Sequence, residues 1–100
     1  MSTKIKYGVK ELERKIGPLT FGKLLESHRK ADELSQKEFA EMLGISQSSL
    51  CDLEKGRKIP SASRALSIAQ TLGLSENLWV EVALQDQLNE QGIELKVSIA

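Results

Sequence analysis

The stretch Leu34-Ser35-Gln36-Lys37-Glu38-Phe39-Ala40-Glu41-Met42-Leu43-Gly44-Ile45-Ser46-Gln47-Ser48-Ser49-Leu50-Cys51-Asp52-Leu53-Glu54-Lys55-Gly56-Arg57 decides the fold. Ser35 with Glu38 is a capping box: the serine accepts from the third helical amide, and the glutamate reaches back to the cap. The helix that follows turns Phe39, Ala40 and Leu43 inward and stops at Gly44, where glycine enters the left-handed region without a Cβ penalty. Ser46 caps the next helix, with Ile45 and Leu50 placed as a hydrophobic staple. Leu50 and Leu53 supply its buried face, and Gly56 ends it. Two helices crossing steeply over so short a turn need a small residue at the crossing, here Ala40, and apolar residues to lock the second helix down. That second helix keeps Ser46, Gln47, Ser48, Cys51, Asp52 and Lys55 outward, a short-chained, hydrogen-bonding face suited to base edges in a major groove.

The flanks extend the pattern. Phe21, Leu24, Leu25 and His28 fall at i, i+3, i+4, i+7 and predict a first helix over about 20–32. Downstream, Pro60-Ser61 starts a helix with Ala65, Ile68, Ala69 and Leu72 inward, closed by Gly73. Ser75 caps a fifth, carrying Leu78, Trp79, Val82 and Ala83 and fading near Gly92. Every helix from the second onward has both a start and a stop signal. Over 93–99 the period changes: Ile93, Leu95, Val97 and Ile99 alternate with Glu94, Lys96 and Ser98, as in a half-buried strand. A lone strand needs a partner, either the same strand of a second subunit, a bound protein, or the segment Ile5-Lys6-Tyr7. Residues 1–18 read as a basic arm with a short amphipathic turn at Val9, Leu12, Glu13 and Ile16, broken from the rest at Gly17-Pro18.

Composition narrows the function. One hundred residues with 40% hydrophobic and 4% aromatic content suit one small helical domain built on Leu, Ile and Ala. No apolar run is long enough for a membrane span, and the N-terminus lacks a signal-peptide core, so a cytosolic protein is expected. Cys51 and His28 are the only residues of their kinds, which leaves no basis for a thiolate metal cluster, an internal disulfide or a Cys/His nucleophile. No metal, cofactor or enzymatic activity is therefore expected. Fourteen basic and fourteen acidic residues cancel, which counts against indiscriminate polyanion binding. Their distribution is uneven. Residues 1–30 are mostly basic and can face phosphates; residues 61–100 are mostly acidic and suit another partner or a second copy.

Leu34 through Arg57, followed by Ile59-Pro60-Ser61, resembles the Cro/cI-type (xenobiotic-response-element, XRE) helix-turn-helix, over about Thr20 to Leu74. The resemblance implies an all-α, five-helix lambda-repressor-like fold, with the helix-turn-helix domain over 19–74 and the fifth helix and a short C-terminal β-strand over 75–100 serving dimerisation or partner binding. It implies a homodimer on a palindromic operator in double-stranded DNA, associated with the bacterial nucleoid when bound and acting as a repressor or autorepressor. It further implies that Gln36 binds a phosphate at a helix N-terminus, and that Gln47 reads a base, since glutamine can bond adenine N6 and N7 together. Ser46 and Ser48 contact a base or phosphate, and Asp52 accepts from a cytosine amino group or repels misplaced phosphates. Lys55, Arg57 and Lys58 contact phosphates, while Arg29 and Glu54 form a structural ion pair. The short domain with its appended tail also resembles HigA-like antitoxins, for which the partner would be a small toxin protein.

Blander readings stand beside these. The three-helix scaffold could bind protein, although the Gln47/Ser48 face has no apolar anchor for an interface. Cys51 reads as a small side chain rather than a redox switch, because Asp52 disfavours a thiolate. His28 and Trp79 read as packing residues. Glu38/Glu41 and Glu81/Asp86 fall on solvated faces at helical spacing and are rejected as acid–base pairs. The N-terminal basic residues serve equally as a DNA-contacting arm or a solvated tail.

Overall fold

The computed structural model describes residues 19–99. They form five α-helices: α1 (Phe21–Ala31), α2 (Gln36–Leu43), α3 (Gln47–Glu54), α4 (Ala62–Leu72) and α5 (Glu76–Glu90). The basic arm expected over 1–18, and with it the segment Ile5-Lys6-Tyr7, lies outside the described residues. Each helix begins on a hydroxyl cap, Thr20, Ser35, Ser46, Ser61 or Ser75, which accepts from the amide three residues on. At α2 the capping box is complete: Glu38 N donates to Ser35 Oγ at 3.0 Å, and Ser35 N donates to Glu38 Oε1 at 2.9 Å. Those bonds from Ser35 hold the Glu38 carboxyl below its ordinary range.

Helix ends follow a common grammar. After α2, Gly44 sits at φ 71°, with Ile45 N donating to the Ala40 carbonyl and Gly44 N to that of Glu41. This is the Schellman closure, which satisfies carbonyls the helix leaves open. The end of α1 has the same two bonds, Leu34 N to Arg29 O and Glu33 N to Lys30 O, without a glycine. Glu33 takes the left-handed position itself, at φ 56°.

One core joins all five helices. Phe21 and Leu25 of α1 meet Phe39 of α2, Leu50 and Leu53 of α3, Ala65 and Ile68 of α4, and Trp79, Val82 and Ala83 of α5. Phe21 and Trp79 pack edge to face at 5.4 Å and 84°, the arrangement that ring quadrupoles favour. The His28 ring lies half-buried against Phe39 and Trp79. Two longer links tie α5 to the rest: Asp86 Oδ2 accepts from Phe21 N at 2.8 Å, and Gln87 Nε2 donates to the Pro60 carbonyl at 2.9 Å. Glu81 and Asp86, expected on solvated faces, are instead half-buried and bonded to main-chain amides. The helix period could not show that the start of α1 and the C-terminal segment cover that side of α5.

The C-terminal β-strand is not present: among the described residues there is no strand, and 93–99 carries no regular secondary structure. Its main chain is held by side chains of α5. Gln85 Nε2 donates to the Leu95 carbonyl at 2.9 Å, Val97 N donates to Gln85 Oε1 at 2.7 Å, and Ile99 N donates to Glu81 Oε1 at 2.9 Å. The Gln85 carboxamide thus does what a neighbouring strand's peptide would do. The spacing fits, because one helical turn from Glu81 to Gln85 rises about 6 Å and two extended residues span about 6.6 Å.

Candidate nucleic-acid interface

The turn between α2 and α3 is short because Gly44 ends one helix and Ser46 starts the next. Ser46 Oγ accepts from Ser49 N at 3.0 Å and donates to Ser49 Oγ at 2.9 Å. Ser46 is exposed, but its hydroxyl is engaged in the cap; Ser49 is half-buried. Gln47 and Ser48, the first two residues of α3, are exposed. Their side chains have no hydrogen-bond partner among the described residues. Buried Leu50 and Leu53 fix the opposite face of the same helix. A short helix anchored on one side with free amide and hydroxyl groups on the other can present them to the floor of a groove.

At the far end of α3 the charges are tied together. Arg57 Nε donates to Asp52 Oδ1 at 2.9 Å, and Lys58 Nζ lies 3.8 Å from Asp52 Oδ2. Arg57 Nη2 also donates to Cys51 Sγ at 3.4 Å. The bond to Asp52, then that to Cys51, raises the Arg57 pKa further. Cys51 and Asp52 are half-buried rather than fully outward, whereas Lys55, Arg57 and Lys58 are exposed. Asp52 therefore works within the chain as an anchor for the loop cations.

Beneath α2 and α3 lies a second polar cluster. Glu54, with its side chain 1% exposed, accepts from Arg29 Nε at 2.8 Å and Arg29 Nη2 at 3.1 Å. Gln36 Nε2 donates to the same carboxylate at 3.0 Å, and Arg29 Nη1 donates to the Leu34 carbonyl at 2.9 Å. The bond to Glu54 raises the Arg29 pKa against the opposing effect of burial. Gln36 occupies the first position of α2, where backbone amides lack intrahelical partners. Its side-chain nitrogen is already committed to Glu54, so the main-chain amide is the freer donor.

Sequence reasoning passed over Gly22. A Cβ there would meet the carbonyl oxygens of Leu53 and Glu54, the latter at 2.7 Å. The start of α1 therefore rests directly on the end of α3, and only glycine permits that approach. A glycine inside an apolar helical stripe was the available signal. Among the described residues no group of three or more His, Cys, Asp or Glu side chains is placed to hold a metal ion, and no helix is long and apolar enough to cross a membrane.

A pair of capped helices joined by the short Gly44–Ser46 turn, the second with an exposed polar face, defines a helix-turn-helix DNA-binding protein. A family model described as Helix-turn-helix matches residues 25–79, and the chain belongs to that family, in its XRE type. An uncharacterized HTH-type transcriptional regulator of Methanothermobacter thermautotrophicus is 44% identical over 50 residues, covering 50% of this chain and 72% of that protein. The ImmF control region 10 kDa protein of Bacillus phage phi105 is 39% identical over 64 residues, covering 64% of this chain and 71% of its own. No solved structure gave a significant match.

Proposed function

We propose that the protein is a transcriptional repressor that binds a palindromic operator as a homodimer, each subunit laying α3 in one major groove. Half-sites would then lie about 34 Å apart, one helical turn. The observation carrying this reading is the exposed, uncommitted pair Gln47 and Ser48 on the first turn of an otherwise anchored helix. Gln47 reads a base edge, Ser48 and Ser46 contact a base or the adjacent phosphate, and the α2 N-terminus at Gln36 receives a phosphate on its free amides. Lys55, Arg57 and Lys58 flank the groove with positive charge; for Arg57 and Lys58, phosphate oxygens compete with Asp52. Arg29 and Glu54 hold α1 against α3 and touch no DNA. The names of the two relatives, a transcriptional regulator and a control region protein, support a role in the control of transcription.

The test begins with selection of a preferred duplex from a random pool. Gln47→Ala should weaken binding to that duplex by about 1–3 kcal/mol and leave binding to unrelated DNA nearly unchanged. Equal loss on both would remove the base-reading role.

A further inference from the structure

Asp52 meets the loop after α3 with both its main chain and its side chain. Its carbonyl accepts from Arg57 N at 2.9 Å and from Lys58 N at 3.2 Å, and these bonds fix the path of the loop. The carboxylate then takes the two side chains as well, Arg57 Nε on Oδ1 at 2.9 Å and Lys58 Nζ 3.8 Å from Oδ2. Arg57 Nη2 is held in addition by Cys51 Sγ at 3.4 Å. Lys55, the third cation of this loop, has no side-chain partner among the described residues. Asp52 follows Ser48 by one helical turn, so its carboxylate belongs to the same side of α3 as the Ser48 hydroxyl. An ion pair whose arginine side chain is 57% exposed contributes little to folding. Its effect on charge is larger, because one carboxylate cancels one of the two cations it touches.

We infer that the Asp52 carboxylate stands in for phosphate on Arg57 and Lys58 in the free protein, and so lowers affinity for duplexes of every sequence. This rests on the DNA-binding reading above and gives Asp52 a role within the chain in place of a base contact. A carboxylate and a phosphate satisfy a guanidinium by the same charge-assisted bonds. Incoming DNA must displace the carboxylate, which is then a like charge beside the phosphate that replaced it. Binding to unrelated DNA depends on phosphates alone, so masking two of the cations beside α3 weakens it directly. On a preferred duplex, the base contacts of Gln47 and Ser48 offset the same loss.

Anisotropy titrations of the full chain on the selected duplex and on an unrelated one, each over a range of salt, test this. Asp52→Asn keeps an acceptor for Arg57 Nε without the charge. It should tighten binding to both duplexes about fivefold and steepen the dependence of log K on log salt by about 0.9, one more phosphate contact. Arg57→Gln should then flatten that slope by about 0.9 in the Asp52→Asn background and hardly at all in the wild type, whereas Lys55→Gln flattens it in both. Circular dichroism checks that the helices are intact. Unchanged affinity and slope, or equal effects of Arg57→Gln in both backgrounds, overturns the inference. So does weaker binding of Asp52→Asn to the selected duplex alone, which would make Asp52 a base contact. Heparin, a polyanion without bases, separates the masking from the DNA-binding reading. Asp52→Asn should elute from heparin at higher salt than the wild type, and an unchanged elution overturns the inference. The later elution with no duplex bound would support the masking and count against the DNA-binding reading alone.

Discussion

Replacing Arg29 with methionine removes the guanidinium from beneath α3 and keeps most of the aliphatic stem. Glu54, with its side chain 1% exposed, would lose two of its three donors, at 2.8 and 3.1 Å, and keep only the neutral Gln36 amide at 3.0 Å. The Leu34 carbonyl would lose its donor as well. Breaking one side of a buried ion pair costs about 3–5 kcal/mol, because the remaining charge stays desolvated. A domain of this size is stable by about 5–15 kcal/mol, so Arg29→Met should still fold at low temperature but lose a large part of its margin. Arg29→Met with Glu54→Leu removes both charges and should return to within about 2 kcal/mol of wild type. Urea unfolding followed by circular dichroism on all four members of the cycle measures the coupling, expected to exceed about 2 kcal/mol. A loss below about 1 kcal/mol for Arg29→Met, or strict additivity in the cycle, would refute this account of the cluster.

Gly22→Ala should cost several kcal/mol, because its methyl group meets main-chain carbonyls of Leu53 and Glu54 that have no freedom to rotate away; thermal unfolding measures the loss, and an unchanged melting temperature would show that α1 does not rest on α3. Glu33→Gly should stabilise by about 1 kcal/mol, since Glu33 holds a left-handed conformation at φ 56° that costs a non-glycine residue about 1–2 kcal/mol; a melting temperature that falls would contradict the assignment. Burial pushes the Asp86 carboxyl up, and the bond from Phe21 opposes the shift only in part. With the folded pKa above the unfolded one, the contribution of Asp86 is fully present below the unfolded value and is lost as pH rises through the folded value. Asp86→Asn keeps an acceptor for Phe21 without the charge, so the difference in stability between variant and wild type should grow from about pH 4 toward neutrality; a difference flat in pH would sink the explanation.

Much of this protein was readable from local signals. Ser35 with Glu38, Gly44 and Ser46 act within a few residues, so the α2–turn–α3 unit, its capped ends and its outward Gln47 and Ser48 follow from short-range chemistry. The first helix had no glycine stop to read, because Glu33 occupies the position a glycine would take. The tail shows the limit of periodicity. Alternating apolar residues over 93–99 predicted a strand, yet the segment carries no regular secondary structure, and its Val97 and Ile99 amides are met by Gln85 and Glu81 of a helix.

Sequence alone determined five helices, their buried stripes and a polar strip beginning at Gln47, because each depends on neighbours within one or two turns. Tertiary structure alone decided that Asp86 caps a helix 65 residues earlier in the chain, that Gly22 seats α3, and that Asp52 holds Arg57. Those contacts depend on how packed helices meet and which rotamers their side chains then adopt, and no periodic pattern along the chain encodes either.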